Sequence, residues 1–88
     1  MIVVITDEFN KSLKKLKSKD VSERVLEAIE DIENAQMTTE IRGIKKLKGY
    51  QTAYRIRIGD YRIGLHILDD TVHFVRVANR KNIYDEFP

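Results

Sequence analysis

Residues 54–63 read Tyr54-Arg55-Ile56-Arg57-Ile58-Gly59-Asp60-Tyr61-Arg62-Ile63. Basic and apolar side chains alternate, a Gly-Asp pair interrupts them, and the alternation resumes. Successive side chains of a β-strand point to opposite faces, so Arg55 and Arg57 share one face while Tyr54, Ile56 and Ile58 share the other. Gly59-Asp60 reads as the two-residue turn of a tight hairpin, because glycine accepts a positive φ there without steric cost. One face is suited to burial. The other carries guanidinium groups that stay protonated and whose planar fork matches phosphate or carboxylate. Such a face points to a polyanion, with RNA as the leading candidate.

Downstream, Tyr61–Leu68 forms the second strand of the hairpin, with Tyr61, Ile63, Leu65 and Ile67 inward and Arg62, Gly64 and His66 outward. Asp69-Asp70 makes the next turn, and Thr71–Ala78 is a third strand rich in β-branched and aromatic residues. In the tail 79–88, Ile83, Tyr84 and Phe87 are available to pack back as a helical turn. Upstream, Met37–Gly49 is weakly periodic and reads as a loop, with a short extended piece at Ile44–Leu47. Before it, Val21, Val25, Ile29 and Ile32 form a helical stripe, widened by Leu26, Ala28 and Ala35. Asp20 and Glu23 have the spacing of a capping box at its start. Phe9, Leu13 and Leu16 mark an earlier helix that Thr6 or Asp7 can cap, with Asp7 and Glu8 at its positive end and Lys14, Lys15 and Lys17 toward the other. The short connection through Ser18, Lys19 and Asp20 predicts a helix hairpin.

The expected fold is therefore α+β in the order β-α-α-β-β-β: one twisted antiparallel sheet with a helix hairpin packed on one face and the arginines on the other. Eighty-eight residues, 42% hydrophobic, suit one domain spanning 1–88. Cysteine is absent, which excludes a disulfide framework and thiolate metal sites and fits a cytoplasmic protein. The apolar run Met1–Ile5 is too short for a signal sequence or a membrane span and reads as a buried strand. Charge is unevenly placed. Residues 1–40 hold six Lys/Arg against nine Asp/Glu, whereas residues 41–88 hold ten against five. The net charge of +2 thus conceals a basic sheet half, the electrostatic footprint of a polyanion partner. No metal-ligand spacing stands out and no cofactor is expected.

Lys46-Leu47-Lys48-Gly49, the stretch 54–63, Val75-Arg76-Val77-Ala78-Asn79-Arg80 and Ile83-Tyr84 together resemble the RelE/ParE superfamily of bacterial and archaeal toxins, as does the helix hairpin ahead of them. RelE-type members of that superfamily are ribosome-associated endoribonucleases that cut messenger RNA and are held inactive by a cognate antitoxin. ParE-type members share the fold and poison DNA gyrase. The resemblance implies a toxin of a type II toxin–antitoxin system and a metal-independent nuclease acting through the RNA 2′-hydroxyl. Its catalytic residues would be Arg57, Arg62, Arg80 and Tyr84, with Arg55, Lys46 and Lys48 binding RNA. Partners would be the antitoxin and messenger RNA on the ribosome, with operator DNA reached only through the antitoxin complex and no membrane. RelE carries lysines where this chain has Arg55 and Arg57, the segment between Arg80 and Tyr84 is shorter here, and Asp85 and Glu86 place acids beside the site.

Each residue also has a purely structural reading. Arg55, Arg57 and Arg62 can be a solvated sheet face, with Arg62 paired to Asp60 or Glu40. Tyr84 can be a packing residue, and His66 on a half-exposed strand reads as structural. For the protein as a whole, the alternatives are a ParE-like gyrase poison or an inactive member that only binds antitoxin or RNA.

Overall fold

Two hydroxyl side chains set where the helices begin. A computed structural model describes residues 1–88. After strand β1 (Ile2–Ile5), Thr6 Oγ1 accepts the Phe9 backbone N–H at 3.1 Å and opens α1 (Asp7–Leu16). The same hydroxyl donates to the Phe74 carbonyl at 2.7 Å, fixing the helix start to the sheet. Lys17, with φ of 52°, takes the left-handed conformation that ends α1. Ser18 then accepts the Val21 N–H and caps α2 (Lys19–Asn34). This cap lies earlier than the Asp20/Glu23 box expected from spacing. Asp20 already sits in the first turn, where its carboxylate pairs with Arg24 at 3.3 Å.

A 3₁₀ turn (Thr38–Glu40) leads to β2 (Ile44–Lys46), β3 (Ala53–Ile58), β4 (Tyr61–Leu68), β5 (Thr71–Asn79) and the short helix α3 (Ile83–Glu86). The α+β class and the element order agree with the sequence, with two refinements. The extended piece near residue 44 is a true strand, giving a five-stranded sheet in the order β1-β5-β4-β3-β2. And β1 lies parallel to β5, so the sheet is mixed rather than wholly antiparallel. β2 to β5 alternate in direction, and the helix hairpin returns the chain so that its first and last strands run the same way.

The main core lies between helices and sheet. Phe9, Val21, Val25, Ala28 and Ile32 meet Ile56, Ile58, Ile63, Leu65, Val72, Phe74 and Val77. Phe9 stands edge-on to Phe74 with ring centroids 5.2 Å apart, a favoured aromatic geometry. Leu26, assigned to the helical stripe by sequence, turns outward and is exposed. The opposite sheet face is not all polar. Ala53, Ala78, Ile83 and Phe87 form a second buried cluster there, flanked by Leu47 and Val75. No helix is long and apolar enough to cross a membrane.

A β-bulge sets the end of β5. Leu65 faces Phe74, but the preceding residue of β4, Gly64, faces Arg76, leaving Val75 as the extra residue. This shift keeps Val77 opposite Ile63 in the core and brings Ala78 opposite Arg62. β1 pairs only as far as Phe74, and beyond that point Ser12 of α1 replaces a strand. Its buried hydroxyl accepts the Val77 N–H at 3.0 Å and donates to the Phe9 carbonyl at 2.8 Å.

Candidate active site

The β3–β4 register places Arg57 directly opposite Arg62 and Arg55 opposite Gly64. Side chains of directly paired residues share a face, so all three arginines lie on the side away from the helices. Arg80 comes to them from the end of β5. Its backbone N–H donates to the Asp60 carbonyl at 2.8 Å, which ties the segment after β5 to the β3–β4 turn. Tyr84 arrives on α3, exposed, between the buried anchors Ile83 and Phe87.

These guanidinium groups hold no carboxylate. Arg62 Nη1 donates to the carbonyls of Gly59 and Tyr61, both at 2.9 Å, and Arg55 Nη1 to that of Gly43 at 3.0 Å. Such bonds orient the groups while leaving their charge uncompensated. The ion pairs lie elsewhere, at Arg24–Asp20, Arg76–Glu8 and Arg76–Glu86. The pairing of Arg62 with Asp60 or Glu40 is therefore absent. Glu40 instead accepts the backbone N–H groups of Gln36 and Met37. Of the two acids flanking the site, Glu86 is turned to Arg76 at 3.7 Å.

Burial, followed by the charges of Arg57, Arg55 and Arg80, pushes the Arg62 guanidinium below its ordinary pKa, while Tyr84 opposes the shift. Side chains from β3, from the segment after β5 and from α3 thus all bear on Arg62. Concentrating cations this way is unfavourable unless an anion neutralises them. The seat is open. Arg57 borders a hollow of about 420 Å³ beside α2, but neither it nor one of about 530 Å³ between α1 and the end of β5 includes Arg62, Arg80 or Tyr84 in its walls. No three His, Asp or Glu side chains converge in a way that suits a metal ion.

The sequence-named RNA contacts divide. Arg55 sits in the cluster. Lys46 is paired with Tyr54, whose ring packs toward the helix-side core, so its parity is that of the opposite face. Lys48 is exposed in the loop after β2. Lys45, opposite Arg55, is the lysine that shares the arginine face, and strand parity at residues 44–46 would have found it. His66 is structural in its contacts: Nδ1 lies 2.8 Å from Thr52 Oγ1, and the ring packs 5.1 Å from that of Phe87. Arg76 bridges Glu8 of α1 and Glu86 of α3, a role the sequence did not disclose.

A family model describing the ParE toxin of type II toxin–antitoxin systems (parDE) matches residues 3–84. The chain belongs to this toxin family. It is 42% identical to Toxin RelE3 of Methanocaldococcus jannaschii over 89 residues, covering all of both chains. A chain of the RelB–RelE antitoxin–toxin complex from Methanococcus jannaschii superposes with a TM-score of 0.81 at 40% identity, covering 97% of this chain and 99% of that one. The archaeal RelE–RelB complex from Pyrococcus horikoshii OT3 gives 0.73 at 27% identity, covering 93% and 97%. The toxin is thus RelE-like in sequence and in fold, as its residues 46–84 led us to expect. Its candidate site is a cluster of guanidinium groups, two of them oriented by backbone carbonyls, with the Tyr84 phenol on the tail beside it.

Proposed function

We propose that this toxin is a ribosome-dependent endoribonuclease that cuts messenger RNA through the 2′-hydroxyl. The observation carrying this reading is the convergence of Arg55, Arg57, Arg62, Arg80 and Tyr84 with no carboxylate to neutralise them. In the reaction the 2′-oxygen attacks the adjacent phosphorus, the P–O5′ bond breaks, and the proton lost by the 2′-hydroxyl is balanced by one gained at O5′. Arg57 and Arg62 hold the non-bridging oxygens, where fixed positive charge counts most as negative charge builds. Arg80 stabilises the transition state or the leaving oxygen, and Arg55 holds the RNA or assists proton transfer. Tyr84 stacks on a base or shares in proton transfer.

Guanidinium groups hold their protons tightly and are poor bases. A site without a strong base and without walls depends on having its substrate placed for it. The ribosome supplies that placement, holding the reacting atoms in line at a cost the toxin does not bear. Lys45, which shares the arginine face, and Lys48, in the loop after β2, extend that basic surface toward ribosomal RNA. RelE-type relatives are solved as complexes with RelB antitoxins. By analogy a cognate antitoxin holds this toxin inactive in the cytoplasm, and operator DNA is bound through that complex. Residues 1–88 act as one toxin domain.

A purified translation system tests the reading. Wild-type toxin should cut ribosome-bound message, and Arg80→Ala combined with Tyr84→Phe should abolish cutting. Equal cutting by that variant would overturn the assigned site. Intact message with loss of DNA supercoiling would place the toxin among gyrase poisons instead.

A further inference from the structure

A helix of four residues has no stability of its own, since nucleation costs more than so few hydrogen bonds return. Yet α3 must fix the position of Tyr84. Its own bonds are few: Phe87 N–H donates to the Ile83 carbonyl at 2.7 Å and Asp85 N–H to the Asn82 carbonyl at 3.1 Å. Its ion pair, Glu86 with Arg76, is half-exposed and adds little. What holds the turn is packing. Ile83 is 0% and Phe87 2% exposed, while Tyr84 between them is 58% exposed.

The seat of Phe87 is specific. A methyl group placed on Gly64 would stand 2.5 Å from both Cγ and Cδ2 of the Phe87 ring and 3.0 Å from Cδ1. Gly64 does not have a positive φ, so glycine is required here for room and not for backbone freedom. His66, itself bonded to Thr52, closes the far side of the socket. Gly64 and Arg62 lie on one face of one strand, two residues apart. The seat of the ring and the guanidinium at the centre of the site are thus parts of the same rigid element.

We infer that Phe87, seated over Gly64, is the positioning residue that holds Tyr84 at the arginine cluster. This rests on the role proposed above for Tyr84 in RNA cleavage. Phe87 touches no reacting atom. It fixes the distance between the phenol and Arg62, and its removal leaves every group of the reaction present but one of them loose.

The experiment measures message cleavage on ribosomes, thermal unfolding and amide hydrogen exchange for Phe87→Ala, Phe87→Leu and Gly64→Ala in the full chain. Phe87→Ala should slow kcat by about 10–100-fold, the cost of a small misplacement, with KM little changed. Phe87→Leu, which still fills the socket, should recover most of that loss. Gly64→Ala, which blocks the socket without altering the tail, should reproduce it. In a Tyr84→Phe background Phe87→Ala should cost nothing further, because the group it positions is already disabled. The Asp85 amide should exchange faster in Phe87→Ala while the Ile63 amide stays protected. Full additivity of the two substitutions, or unchanged cleavage by both Phe87→Ala and Gly64→Ala, would overturn the inference. Should wild-type toxin cut no message, the nuclease reading falls on its own, and a protected Asp85 amide in Phe87→Ala would separately show that the ring does not hold the turn.

Discussion

Arg62 stands opposite Arg57 across the β3–β4 ladder, a pairing of like charges that weakens a sheet. The strain is electrostatic, and desolvation of Arg62 adds to it. A site that binds a phosphate is under this tension when empty, so stability and activity should move in opposite directions at these positions. Arg57→Thr, a good strand residue without the charge, should raise unfolding free energy by about 0.5 kcal/mol while lowering cleavage. Urea unfolding beside a cleavage assay checks both. A loss of stability would mean that the Arg57 stem contributes more by packing than its charge costs. The guanidinium face itself was legible in the sequence because the alternation at 54–58, resumed at 61–63 after the Gly-Asp turn, fixes parity on both strands of the hairpin. The family resemblance named Lys46 without regard to strand parity, so its place on the other face of β2 emerged only with the β2–β3 pairing.

At the scale of elements, the site depends on the end of β5, where β1 no longer pairs with it. Ser12 supplies the missing acceptor for Val77 N–H just past the bulge at Val75, and that register brings Arg80 round to Arg62. Ser12→Ala would leave a buried backbone donor unsatisfied and should cost about 1–2 kcal/mol. A fall in the thermal midpoint of several degrees would follow for a chain of this length. An unchanged midpoint would mean the bulge is fixed by other contacts. Neither feature is visible in sequence. The bulge moves the core positions of β5 from Val72 and Phe74 to Val77, but adjacent apolar residues at 74 and 75 do not by themselves tell a bulge from a strand buried on both faces. A serine on a helix carries no sign of a partner 65 residues away. The Ser18 cap was missed for a local reason, because Asp20 and Glu23 offered a competing capping pattern within the same turn. The parallel β1–β5 pairing likewise depends on how the helix hairpin returns the chain, which no single segment encodes.

Over the whole molecule, the helix-rich half carries excess acid and the sheet half excess base, and the fold turns that division into two opposed faces. The helices seal the main core on one side. On the other, the small cluster around Ile83 and Phe87 covers part of the sheet, leaving Arg57 and Arg80 exposed and Arg55 and Arg62 half-buried. On the nuclease reading proposed above, such a toxin offers a surface rather than a cavity, and it becomes a complete site only against a second surface. The fold class and the arginines of the site could be read from residues 54–84, because hairpin alternation and family resemblance agree there. The openness of the site could not, since it arises from how far the tail reaches across the sheet. The central claim is that these guanidinium groups act on one phosphate attacked by its neighbouring 2′-hydroxyl. Its most direct measurement is cleavage of a ribosome-bound message carrying a single 2′-deoxy substitution at the mapped cut. The account predicts that the substituted message stays whole while the unmodified one yields 2′,3′-cyclic phosphate and 5′-hydroxyl ends. Cutting that ignores the substitution, or that leaves 5′-phosphate ends, would contradict it.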